Sequence, residues 1–131
     1  MITVVVIPIN VHASPYEKQI PPESQTKEYL LALQQIVNGD IEAAYRWFPF
    51  TEGDKYWRNY CVYVNSDGQD LPMNDRLRMS GLPVRGQAVI IAEDNVCQEV
   101  KPWPMNYSPL KPATMLNFES IIQEISSWYS T

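Results

Sequence analysis

Glycine, cysteine and histidine are scarce in this chain: five, two and one in 131 residues. Cys61 and Cys97 lie far apart and make no disulfide framework, so both are expected to be free buried thiols in a reducing compartment. One histidine with two separated cysteines matches no zinc-ligand spacing, and no metal site is expected. Five glycines against eleven prolines argue for extended and turn segments rather than a helical bundle. No apolar run is long enough to span a bilayer. The opening MITVVVIPIN lacks the basic flank and small-residue cleavage site of a signal peptide, so a cytoplasmic protein is expected. Charge is also sparse. Ten basic and fifteen acidic residues leave a net −5, with the signs interspersed. That disfavours nucleic acid as the main partner and is too thin for a mimic of DNA.

What is present is a sizeable apolar fraction, 45%. A domain of this length buries roughly two thirds of its unfolded surface, enough for a core. The most ordered pattern runs from Tyr29 to Ala44. Tyr29, Leu30, Leu33, Ile36 and Val37 share an arc of about 120° on a helical wheel, with Lys27, Glu28, Gln34 and Gln35 outside it. Ser24 or Thr26 is expected to cap the start, with Glu28 near the positive end of the dipole. Asn38-Gly39 supplies a left-handed stop. From Asp40 the period changes to two, placing Ile41, Ala43, Tyr45 and Trp47 on one face of a strand that runs to Phe50.

Other elements follow from the same rules. Ile2 to Ile9 is apolar on both faces, as a central strand would be. Residues 10–25 hold three prolines and read as a loop. TEGDK, residues 51–55, suits a hairpin turn before a returning strand, Tyr56 to Asn65. Ser66-Asp67-Gly68 is a turn signal, residues 69–83 read as irregular, and Arg85 to Glu93 reads as a strand. Residues 101–112 carry four prolines and form an extended connector. A final helix spans about Thr114 to Tyr129, with Phe118, Ile121, Ile122, Ile125, Trp128 and Tyr129 on its apolar face. The expectation is an α+β domain. It has a small mixed or antiparallel sheet of about four strands, one helix after strand 1, a C-terminal amphipathic helix, and the helices on one face. Residues 1–94 form the core domain. Residues 95–131, the connector and last helix, pack on it or serve association.

Candidate chemistry is thin. His12 sits in a loop without a triad signature, and a solvated histidine is the simpler reading. Asn65, Asp67, Asp70, Asn74 and Asp75 are oxygen-rich but lack the ligand spacing of a calcium loop. Arg76, Arg78 and Arg85 lie close together and could hold a phosphate or a partner's carboxylate, or be locally paired. Trp47, Phe48, Phe50, Tyr56, Trp57, Tyr60 and Tyr63 crowd the hairpin. Some of these rings are expected to be exposed, as in an interface hot spot, unless the connector covers them.

The runs LQQIVNGDIEAAY, YCVYVNSDGQDLPMN and LPVRGQAVIIAED resemble a small family of bacteriophage and mobile-element domains without assigned activity. The matching positions are Leu33–Ala43, Val64–Gly68, Leu71–Asn74 and Gly86–Ile91, within roughly residues 1–94. The resemblance implies a protein of the infected or element-bearing cell's cytoplasm and implies no catalytic residues.

Three functions follow. The first is a non-enzymatic accessory protein that binds a host protein, against a host defence system, with Trp47, Tyr56, Trp57, Arg76, Arg78 and Arg85 as contacts. It needs no cofactor or membrane and allows a homodimer through the C-terminal helix. The second is a small-ligand protein in which arginines hold a nucleotide or other phosphate and an aromatic ring stacks on the base. The third is a hydrolase using His12 or the acidic loop.

Overall fold

The computed structural model describes residues 1–47, 56–96 and 110–130, with the side chains of all of these except 56–58 and 94–96. The chain order is β1 (Ile2–Ile7), β2 (Tyr16–Ile20), α1 (Thr26–Val37), β3 (Ile41–Trp47), β4 (Tyr56–Asn65), a 3-10 turn (Gly68–Asp70), α2 (Asp75–Met79), β5 (Ala88–Val96) and α3 (Phe118–Tyr129). The five strands form one sheet in the order β2-β1-β5-β4-β3, and every pairing is antiparallel. The fold is α+β, as composition and periodicity indicate.

The layers differ from the expected one-sided arrangement. One face of the sheet, with Val4, Val6, Cys61, Tyr63, Val89 and Ile91, packs against Tyr29, Leu33, Ile36 and Val37 of α1. The other face, with Val5, Ile7, Val62, Ala88 and Ile90, packs against Phe118, Ile121, Ile122 and Ile125 of α3 and Leu77 of α2. Helices therefore cover both faces. The reason lies in β1, β4 and β5, whose alternate residues are apolar in both directions. Leaving either face wet would forfeit roughly 1.5–3 kcal/mol for each Val or Ile side chain. The last helix thus closes the core with its apolar face, and only its final turn leaves large rings in solvent: Trp128 and Tyr129 are 57% and 50% exposed.

The fifth strand lies in the segment 10–25, which reads as a loop. β2 pairs with β1 from Ile2↔Ile20 to Val6↔Tyr16. Tyr16 to Gln19 are exposed and only Ile20 is buried. An edge strand wetted on both faces lacks the hydrophobic alternation that marks a strand.

Other boundaries shift for local reasons. Neither Ser24 nor Thr26 caps α1. Gln25 occupies the N-cap position without a side-chain hydrogen bond, and the Thr26 hydroxyl donates to the Glu23 carbonyl at 3.3 Å. Leu30 is 39% exposed, so the buried stripe is narrower than the wheel suggests. Asn38 takes the left-handed conformation at the helix end (φ 61°), while Gly39 is needed for space: a Cβ there would meet Asn65 Nδ2 at 2.6 Å. The expected single face of β3 is broken by a bulge between Ala43 and Tyr45. Ile41 and Ala43 pack with the α1 layer, but Ala44, Tyr45 and Trp47 pack with the α3 layer. An extra residue in one strand reverses the facing of all that follow. The turn at 51–55 and Phe48 to Phe50 lie outside the described residues, as do Cys97 and most of the connector.

Residues 69–83, read as irregular, contain α2. The Asn74 side chain caps it by accepting from Leu77 N–H at 3.2 Å. Its end is a Schellman motif: Leu82 N–H reaches the Leu77 carbonyl, Gly81 N–H reaches the Arg78 carbonyl, and Gly81 has φ 88°. The sequence Asn-Asp-Arg-Leu-Arg-Met-Ser-Gly-Leu-Pro holds both signals. The last strand begins at Ala88 rather than Arg85, because Gly86 at φ 83° still belongs to the turn.

Candidate functional site

Two features collect the polar and aromatic side chains that the fold does not use as plain core. The first is a buried polar cluster on the α1 face. Glu93, just past the middle of β5, is 8% exposed. Its Oε2 accepts from the Tyr29 phenol of α1 at 2.9 Å and from the Tyr63 phenol of β4 at 2.7 Å. Its Oε1 accepts from Asn59 Nδ2 at 3.3 Å and faces Arg46 Nη1 of β3 at 3.6 Å. Strand alternation puts Asn59, Cys61 and Tyr63 on one face of β4, and Glu93 shares that face on β5. A carboxylate buried without donors would be costly, so the four surrounding groups are what permit it here.

Burial keeps the two phenols and the neighbouring thiol of this cluster protonated. Burial, reinforced by the Glu93 charge, pushes the Tyr29 phenol well above the usual tyrosine range. Burial and the neighbouring Cys61 and Glu93 do the same to Tyr63. Both phenols therefore remain donors. Burial and Glu93 push the Cys61 thiol up to about 12. At neutral pH it is a thiol rather than a nucleophilic thiolate. Chemically the cluster works as an anchor joining α1, β3, β4 and β5.

The second feature is an aromatic corner on the α3 face, beside edge strand β3. The Tyr45 and Tyr129 rings meet edge to face, with centroids 4.9 Å apart at 81°. The Tyr45 hydroxyl donates to the Pro83 carbonyl at 3.2 Å, and the Tyr129 hydroxyl accepts from Arg46 N–H at 3.1 Å. Trp47 stacks on Tyr60 at 5.4 Å, and the Tyr60 hydroxyl donates to the Lys111 carbonyl at 2.8 Å. Trp47 is half-buried. Tyr129 is half-exposed there, and Trp128, its neighbour in α3, is 57% exposed.

The six residues singled out as contacts do not form one patch. Trp47 lies in the row Trp47–Tyr60–Ala92, at the middle of β5. Tyr56 and Trp57 pair through their backbones with Val96 and Asn95, and their side chains are outside the described residues. The arginines lie around α2 and the turn before β5, toward the other end of the sheet, and each has its own partner. Arg76 Nη2 donates to the Val11 carbonyl at 3.1 Å and Arg85 Nη1 to the Leu71 carbonyl at 3.0 Å. Arg78 faces Asp75 at 3.5 Å, exposed. His12 is exposed, its backbone N–H bound to Asn10 Oδ1. Of the oxygen-rich stretch, Asn65 and Asn74 are structural: Asn65 Oδ1 accepts from Asp67 N–H, and Asn74 caps α2.

The grouping of Glu93 with Tyr29 and Arg46 is not legible in the sequence. The one signal was a glutamate ending an apolar strand, which reads as the solvated end of that strand. A cleft of about 310 Å³ opens between Ile2 and Thr3 of β1, Ala92 of β5 and the Pro22–Ser24 loop. It lies beyond the three-residue stretch over which β1 and β5 pair. No protein-family model, no curated protein and no solved structure matches this chain.

Proposed function

We propose that this protein is a non-enzymatic accessory factor of a phage or mobile element that binds a host protein in the cytoplasm and acts against a host defence system. The observation that supports a binding role is the aromatic corner, where half-exposed Tyr129 packs against Tyr45 and Trp128, next to it in α3, is 57% exposed. Trp and Tyr dominate interface energetics because each offers a large rigid surface with a polar tip. The interior groups with latent reactivity are already committed, Glu93 to four neighbours and Cys61 to its protonated form. That favours association over catalysis. The phage setting rests on the motif resemblance around the helix-glycine-strand join at Leu33–Ala43.

The test is affinity purification of the tagged protein from a bacterial host after nuclease treatment. A single stoichiometric host protein is expected. Its recovery should fall at least tenfold with Trp128→Ala, whose side chain is 57% exposed, while Arg78→Ala leaves it within twofold. Recovery of the protein alone, or equal loss with both variants, overturns the assignment to the aromatic corner.

A further inference from the structure

Asn38 is the only asparagine in the chain that precedes a glycine. It ends α1 in the left-handed conformation (φ 61°, ψ 40°), with its side chain exposed. Gly39 has no Cβ to screen its amide nitrogen from the neighbouring carboxamide. Reaction between the two requires the peptide to turn about the Asn38 Cα–C bond and bring that nitrogen onto Cγ. The fold opposes the turn at both polar atoms of the peptide. Gly39 N–H donates to the Gln34 carbonyl at 3.1 Å, and the Asn38 carbonyl accepts from Asn65 Nδ2 at 3.1 Å. The same Nδ2 donates to the Val37 carbonyl at 3.1 Å, and Asn65 Oδ1 accepts from Asp67 N–H at 2.8 Å. The Asn65 side chain is thus fixed at three points. It lies directly against Gly39, where a Cβ would meet Nδ2 at 2.6 Å.

We propose that Asn38-Gly39 is a self-modification site, a deamidation centre whose rate is set by Asn65 acting as a latch. When the end of α1 opens locally, the Gly39 nitrogen bonds to Asn38 Cγ. The Cγ–Nδ2 bond breaks, and ammonia leaves with the Gly39 amide proton. Water then opens the five-membered imide at either carbonyl, giving aspartate or isoaspartate at position 38. Both products place a negative charge at the C-terminal end of the α1 dipole, where the last turn holds no basic residue. Isoaspartate also adds a carbon to the backbone and removes the left-handed cap. The modification therefore loosens the helix end that the latch keeps closed. It involves no partner, so this inference and the partner-binding proposal can fail separately.

The test incubates the parent, Asn65→Ala and Gln87→Ala in mildly alkaline buffer, with a sample of the parent in urea. Peptide mapping by mass spectrometry quantifies aspartate and isoaspartate at position 38. Gln87 Nε2 donates to the Ile36 carbonyl at 2.8 Å, so its variant weakens the same helix end without releasing the Asn38-Gly39 peptide. In urea, position 38 should react faster than every other asparagine, and the native parent at least tenfold more slowly than in urea. Asn65→Ala should react at least fivefold faster than the native parent, and Gln87→Ala within twofold of it. Asn65→Asp, which still accepts from Asp67 N–H but has no N–H to donate, should also exceed the parent fivefold and replaces the alanine variant should that one not fold. A native parent that reacts as fast as in urea overturns the inference, as does slow reaction of position 38 in urea. So does an Asn65 variant that reacts at the parent's rate, or a Gln87→Ala variant accelerated as much as Asn65→Ala.

Discussion

The phenol of Tyr29 on α1 and the carboxylate of Glu93 on β5 are 64 positions apart in the chain and 2.9 Å apart in the fold. That bond fastens one helical layer to the sheet through a polar contact in an otherwise apolar interface. Glu93→Ala would leave two phenols, Asn59 and Arg46 facing an apolar gap. It is expected to cost about 3 kcal/mol or more, whereas Tyr29→Phe, which removes one donor, should cost about 1–2 kcal/mol. Urea denaturation of the two variants measures this. A Glu93→Ala loss below that of Tyr29→Phe would show that the carboxylate does not organise the cluster.

Asn74 is fully buried and its side chain makes three hydrogen bonds. Nδ2 donates to the Ile7 and Gly86 carbonyls, and Oδ1 accepts from Leu77 N–H. It ties β1, the turn before β5 and the start of α2 together. Asn74→Ala is expected to destabilise by about 2–4 kcal/mol, combining a lost cap with two orphaned carbonyls. Asn74→Asp should keep the cap yet do no better than alanine, because a carboxylate would face those two carbonyls. Thermal melts of both variants decide the point.

The protein should lose stability on the alkaline side. Cys61 titrates from an ordinary 9.0 up to about 12 in the fold, and Tyr29 and Tyr63 are also raised. Between the unfolded and folded values the native state holds more protons than the unfolded state, so stability falls as pH rises. The stabilisation is complete below about pH 9 and is lost as the pH climbs toward 12. Denaturation midpoints from pH 8 to 11 should decline, and Cys61→Ala should flatten the decline. At pH 7.5 the native thiol should resist a thiol reagent that labels it at once in denaturant.

Tyr129 seals the outer edge of β3 by accepting from Arg46 N–H. Tyr129→Phe removes only that acceptor and should cost about 0.5–1 kcal/mol. Tyr129→Ala also removes the ring against Tyr45 and opens an unpaired strand edge. Sedimentation should show concentration-dependent association for the alanine variant and none for phenylalanine. Association by neither variant would mean that the ring does not guard the edge, and association by both would give that role to the hydroxyl.

Several elements were determined by sequence alone because their signals are local. β4 spans Tyr56–Asn65 as its aromatic and β-branched run indicates. α1 ends at Asn38 because that residue tolerates a positive φ before Gly39. α3 buries Phe118, Ile121, Ile122 and Ile125 at helical spacing. These depend on φ/ψ preference and periodicity over a few residues.

Tertiary structure decided the rest. β2 is a strand only because β1 offers it an edge, since four of its five side chains are exposed. The bulge in β3 reverses Tyr45 and Trp47 and so creates the aromatic corner, which no alternation in the sequence announces. Placement of the helices on both faces depends on which alternate residues of three separated strands become coplanar. The Glu93 cluster draws its donors from Tyr29, Asn59 and Tyr63 and its cation from Arg46. A carboxylate's partners across such separations are set by strand register and layer packing, and neither is a property of the residues beside it in the chain.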